Sequence, residues 1–147
     1  MVVDYAKVSV AEIMTGDVVT VQEDATIDRV LELFSRYHYH SYPVVADTGE
    51  LVGIISEDLV LAVLLFHRIP ASSHTHLSVV RSLGDDARGI MMPYPVTVSP
   101  HTCLLETADL MLKHHVSRIC VVEEGRLVGI LSKRDIVNEI CKRRDYS

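Results

Sequence analysis

Leu51-Val52-Gly53-Ile54-Ile55-Ser56 recurs as Leu127-Val128-Gly129-Ile130-Leu131-Ser132, 76 positions on (51 to 127). Upstream of each copy a second block repeats: Ile13-Met14 followed by Val19-Thr20-Val21 returns as Ile90-Met91 followed by Val96-Thr97-Val98, 77 positions on (13 to 90). One residue is therefore lost between the blocks. The loss falls where Asp47-Thr48-Gly49-Glu50 is matched by the shorter Glu124-Gly125-Arg126, a turn, where a duplicated fold tolerates shortening best. Two copies of one motif in the same order make this an internal repeat.

Each copy reads outward in the same way. Val19-Thr20-Val21 is short and β-branched after Gly16-Asp17, which suits a strand. Ile27, Val30, Leu31, Phe34 and Tyr37 recur at spacings of three and four behind Thr26 or Asp24 as N-cap, so 26–38 is expected to be an amphipathic helix. Its counterpart carries Leu104, Ala108, Met111, Leu112 and His115. Tyr42–Ala46 with Leu51–Ile55, and Arg118–Glu123 with Leu127–Leu131, read as hairpins, each followed by a helix, 57–66 and 133–143. The expected class is α+β: two β-α-β-β-α units packed by pseudo-twofold symmetry through their sheets, since one unit alone buries too little surface. The units span 8–66 and 86–142. The linker 67–85 is long, so a short helix around Leu77–Leu83 is expected, or else a mobile segment.

Composition narrows the function. With 147 residues, 48% hydrophobic and 23% charged, the chain has a core to build. A net charge of -6 makes it a poor candidate for nucleic-acid binding, which depends on Lys and Arg neutralising phosphates. The excess is local: residues 1–73 hold 4 basic and 11 acidic side chains, residues 74–147 hold 10 and 9. Cys103, Cys120 and Cys141 are odd in number and far apart, so neither a disulfide framework nor a zinc ribbon is indicated. Met1 to Val10 has no signal-peptide core, and the longest apolar run, Leu59 to Phe66, is far short of the ~20 residues that cross a bilayer. A cytoplasmic protein without membrane insertion is expected.

The order I-M-x-x-x-x-V-T-V, a helix, an apolar strand with Pro43, then L-V-G-I-[IL]-S before a helix resembles the cystathionine-β-synthase (CBS) domain, a tandem pair of which is a Bateman module. The resemblance covers nearly the whole chain. It implies a stand-alone regulatory module rather than an enzyme. Such a module needs no cofactor, forms a homodimer, and senses AMP, ADP, ATP or S-adenosylmethionine in the cleft between repeats, signalling to a separate effector enzyme or transporter. The alternative is a constitutive dimerisation or scaffold module with vestigial clefts.

The candidate site starts at Gly129-Ile130-Leu131-Ser132-Lys133-Arg134-Asp135, where a strand gives way to a helix. Free N–H groups at the helix start, with a hydroxyl and a carboxylate three residues apart, make a polar corner. A carboxylate can accept both hydroxyl protons of a ribose, as in dinucleotide folds. The plainer reading makes Ser132 an N-cap and Asp135 a first-turn acid; both readings can hold. By resemblance the main site joins Ser132, Arg134 and Asp135 with Thr15, Val19, Thr20, His40 and Ser41. A second, weaker site would use Ser56, Val96, Thr97, Ser117 and Arg118. Arg118 is suited to phosphate by its two-pronged donor geometry, or is else a surface Arg paired with Glu123 or Glu124. In that second site Leu59 stands where Asp135 stands in the first, and Asp58 falls one residue early. Either a residue has been lost there and Asp58 serves, or the ribose anchor is missing and Leu59 points into the core.

Other groups have plainer readings. His74-x-His76 and His114-His115 lack a third metal ligand, and His114 and His115 suit a helix end. Tyr37, Tyr39 and Tyr42 read as core and dimer surface rather than a stacking platform, the alternative being that one of them covers a purine. Lys142-Arg143-Arg144 reads as charge on the last helix end, the alternative being contact with an acidic partner. No nucleophile, base and orienting acid can be assembled.

Overall fold

Hairpins form where β-rich runs meet across turns that force the chain back. In the computed structural model, which describes residues 4–68 and 86–144, the shorter hairpin turn is Glu124-Gly125, with φ of 52° and 80°. Positive φ at both central residues is the geometry that matches strand twist in a two-residue turn, and it explains how one residue could be lost there. The chain divides into two compact units. Val19–Pro95 is called the central unit by its place in the sequence; Met1–Val18 with Val96–Ser147 make the terminal unit.

In the central unit β1 (Val21–Gln22), α1 (Ile27–Arg36), β2 (Ser41–Val45), β3 (Leu51–Ser56), α2 (Glu57–Arg68), α3 (Ala87–Ile90) and β4 (Met92–Pro93) follow in order. The sheet order is β1-β2-β3-β4, with β1 and β2 parallel and the other pairs antiparallel. Thr26 caps α1, its Oγ1 accepting the Arg29 N–H at 3.2 Å, which stabilises a helix start by about 1 kcal/mol. Val21, Val30, Leu33, Tyr42, Val44, Ile55, Ala87 and Ile90 form the core.

The terminal unit holds a 3-10 turn (Val10–Glu12), β5 (Thr97–Val98), α4 (Leu104–His114), β6 (Arg118–Glu123), β7 (Arg126–Ser132) and α5 (Lys133–Arg143). Its sheet order is β5-β6-β7, β5 parallel to β6 and β6 antiparallel to β7. Its core gathers Val8, Val10, Val98, Leu104, Met111, Ile119, Val121, Leu131 and Ile136. Ser9 N–H donates to Glu12 Oε2 at 2.7 Å, the main reason the Glu12 carboxyl titrates below its ordinary value.

The units exchange their leading segments relative to the sequence repeats. Thr15 pairs with Ile130 of β7 through two backbone bonds of 2.9 Å, while Ala87 and Arg88 donate to Ala25 and Glu23 at 2.8 and 2.9 Å. Met14 and Met91 explain why I-M and L-V-G-I occur together. A Cβ on Gly129 would stand 2.6 Å from Met14 Sδ, and one on Gly53 would stand 2.4 Å from Met91 Sδ. Only glycine lets these side chains lie on the strand.

Several expectations shift. The strand expected at Val19-Thr20-Val21 begins only at Val21, because pairing with β2 starts at Val21 opposite Val44; likewise Val96 precedes β5. The helix expected over 26–38 stops at Arg36, with Tyr37 already extended at φ -115°, ψ 158°. The expected helix at Leu77–Leu83 and the pair His74 and His76 lie outside the described residues.

Candidate functional site

At the β7–α5 junction Ser132 is extended at φ -103°, ψ 161°. Its Oγ accepts the Asp135 N–H at 3.0 Å, and Asp135 Oδ2 accepts the Ser132 N–H at 2.9 Å. This reciprocal capping box satisfies two helix-end donors and holds the half-buried carboxylate in one orientation. Lys133 N–H donates to Ser117 O at 2.9 Å, tying the junction to the loop before β6. Arg118 lies opposite Ser132 in the β6–β7 register. Thr15 is exposed and bonded to β7 two residues before Ser132, and Arg134 is exposed at the helix start. The terminal unit thus brings Thr15, Ser117, Arg118, Ser132, Arg134 and Asp135 to one end of its sheet. Val96 packs on the core, with Thr97 exposed in β5.

The matching junction of the central unit keeps half of this device. Ser56 Oγ accepts the Leu59 N–H at 3.3 Å. The interval is the same as from Ser132 to Asp135, so no residue has been lost: Leu59 holds the third helical position and returns no bond. Asp58 is exposed one position earlier. Leu59, expected in the core, is only half-buried, and Val60 is the residue packed there, because the helix turns its next position inward. Ser41 lies opposite Ser56, Val19 packs on the core, and Thr20 is half-buried.

His40 is anchored twice. Its carbonyl accepts the Glu57 N–H at 2.9 Å, and its Nδ1 bonds Glu57 Oε1. Glu57 lines a depression and was not singled out by pattern reading. The available signal was its pairing by position with Lys133, opposite in charge. His40 and Glu57 open on a depression of about 390 Å³, walled also by Phe34, Tyr37, Tyr39 and Leu61. Tyr37 and Tyr39 stack with centroids 5.8 Å apart, and Tyr39 meets the edge of Tyr42 at 5.9 Å. Tyr42 is fully buried, whereas Tyr39 is 42% exposed. The three tyrosines thus run from the core to the wall of the depression.

Burial pushes the Cys120 thiol up to about 11, against the opposing pull of Arg118, so it is held as an unreactive thiol. Among the described residues no group of three or more His, Cys, Asp or Glu could hold a metal ion. His114 closes α4 and His115 follows in the left-handed region at φ 55°. Arg143 pairs with Glu139 at 2.7 Å and Glu12 at 3.6 Å. No described helix is long and apolar enough to cross a membrane.

The family model for the CBS domain matches residues 10–65 and 87–142. An uncharacterised protein of Methanocaldococcus jannaschii is 30% identical over 128 residues, which are 87% of this chain but 41% of that protein. A CBS domain-containing protein of Dictyostelium discoideum is 30% identical over 138 residues, 92% of this chain and 93% of its own length. The crystal structure of CBSX2 in complex with AMP is similar at a TM-score of 0.80 and 26% identity, covering 93% of this chain and 98% of that one.

Proposed function

The chain belongs to the CBS domain family, and we propose that it is a regulatory module, not an enzyme, which binds an adenosine-containing ligand and passes its bound state to a separate effector protein. The observation that carries this reading is the Ser132–Asp135 box. It fixes a carboxylate through Oδ2 at a strand-to-helix junction whose neighbours Thr15 and Arg134 are polar or cationic. The AMP complex of the similar CBSX2 supports the same ligand class. The proposed main set is Thr15, Val19, Thr20, His40, Ser41, Ser132, Arg134 and Asp135. The second set is Ser56, Val96, Thr97, Ser117 and Arg118, and it is expected to be the weaker because Leu59 supplies no carboxylate. A homodimer in a reducing cytoplasm completes the proposal; Cys103, Cys120 and Cys141 are free thiols, which suits that compartment. A ligand can bias the module only through different affinity for its two states.

Titration calorimetry with AMP, ATP and S-adenosylmethionine tests it. Asp135→Asn retains an acceptor for the Ser132 N–H but removes the charge, and is expected to weaken binding about tenfold. Unchanged affinity in that variant removes Asp135 from the site. No heat with any of the three ligands overturns the sensor reading in favour of a scaffold with vestigial clefts, the reading that Leu59 at the third position of α2 favours.

A further inference from the structure

The last helix of each sequence repeat carries the same exposed stripe. In α2 Glu57, Leu61 and Leu65 follow at intervals of four, and in α5 Lys133, Val137 and Cys141 do so at the matched positions, 76 on (57 to 133). Each set therefore lies along one face of its helix. All six residues are exposed, Leu61 and Leu65 at 58% and Val137 at 46%. Apolar side chains one turn apart on both helices gain by being covered, and the charges around them are opposite. α2 opens with Glu57-Asp58, both exposed, and the Glu57 side chain stays half-exposed beside His40. α5 opens with Lys133-Arg134, and Lys142 and Arg144 stand exposed at its other end. Its acids are engaged: Asp135 accepts the Ser132 N–H at 2.9 Å, and Glu139 accepts from Arg143 Nε at 2.7 Å. With α5 cationic at both ends, Glu57 and Asp58 meet cations whichever way the two helices run. Charge then decides which faces can meet. α2 against a second α2 sets Glu57 and Asp58 against their own copies, and α5 against a second α5 does the same with its cations. Only α2 against α5 joins apolar to apolar and acid to base. The depression of about 390 Å³ that Glu57 and Leu61 border gives a Lys or Arg of that helix the faces of Tyr37 and Tyr39 to lie on.

We propose that the α2 face is covered by a second copy of this chain, docked by its α5 face, so that the central unit of one copy pairs with the terminal unit of the other. The proposal rests on the homodimer reading above and names its contact. A contact between unlike surfaces closes a dimer when a twofold axis uses it twice. Sedimentation velocity on the full chain over a range of concentrations tests it. The parent is expected to assemble, with a dissociation constant that rises about fivefold from low salt to about 0.5 M NaCl, because screening weakens attraction between opposite charges. Glu57→Lys with Asp58→Lys makes both faces cationic; Lys133→Glu with Lys142→Glu and Arg144→Glu makes both acidic. Each variant alone is expected to assemble at least about tenfold more weakly. Their equimolar mixture is expected to return to within about threefold of the parent, since each altered face then finds its opposite. Leu65→Ser, away from the helix start, is expected to weaken assembly about fivefold without lowering the thermal midpoint of the dissociated chain. Charge variants that assemble as the parent does, weakened variants that mixing does not restore, or assembly that tightens with salt overturn the α2–α5 contact while leaving a homodimer standing. A parent that stays monomeric at every concentration overturns both.

Discussion

Gly53→Ala is expected to destabilise the central unit by about 3 kcal/mol, the upper end of overpacking costs, with a fall in thermal midpoint on the order of 10 °C. The new Cβ would stand 2.4 Å from Met91 Sδ, 2.8 Å from Met91 Cγ and 2.9 Å from Met92 O. A methionine side chain can swing away. The carbonyl cannot, because Met92 is paired with Ile54 and Pro93 with Gly53 in the β3–β4 register. Gly129→Ala should cost less, since its Cβ would lie 2.6 Å from Met14 Sδ but 3.1 Å from the Thr15 carbonyl. Adding Met14→Ala should recover part of the Gly129→Ala loss, whereas Met91→Ala should recover little of the Gly53→Ala loss. Chemical denaturation of the four variants measures this, and equal losses at the two glycines would contradict the backbone argument.

The second large effect is expected at Tyr42. Its ring is fully buried, lies edge-on to Phe34 at 4.7 Å and supports Tyr39. Its hydroxyl donates to Leu33 O at 2.8 Å. Tyr42→Ala should therefore cost about 4 kcal/mol, as large aromatic truncations do. Tyr42→Phe should cost only about 1 kcal/mol, because Leu33 O still accepts the Tyr37 N–H at 3.0 Å. Urea denaturation separates the two contributions. A Phe variant as unstable as the Ala variant would move the weight from the ring to the hydroxyl. Ligand titration of Tyr42→Phe should match the parent, since the ring that backs Tyr39 remains.

Local chemistry was legible in the chain wherever it was written in adjacent residues. Both hairpins appear within a residue of their expected limits, Thr26 caps α1, and Ser132 with Asp135 caps α5 as their spacing of three requires. What could not be read depends on partners distant in sequence. Periodicity says nothing of Thr15 lying on Ile130, or of Ala87 donating to Ala25. Val19 and Thr20 look like strand by propensity, yet β2 offers its first partner to Val21. The His40–Glu57 bond spans 17 residues, and the depression it borders arises from where α1 ends and α2 begins. Spacing pointed to the Ser132–Asp135 capping box, whereas nothing in the local pattern singled out the bond of Glu57 to His40.

The exchange of leading segments also sets an order in which the chain can complete itself as it leaves the ribosome. The central unit is one continuous stretch, finished once Pro95 is made, whereas the terminal unit takes its first and last pieces from opposite ends of the chain. Thr15 must wait for Ile130, 115 residues later (15 to 130), roughly 6 to 23 s at common rates of synthesis. Over that interval Val8 and Val10 can already bond Leu104 and Thr102, but Met14 and Thr15 have no Gly129 and Ile130 to lie on. A nascent chain stalled before Gly129 therefore has a finished central unit but leaves Met14 and Thr15 without their strand, an unpaired edge of the kind that chaperones recognise.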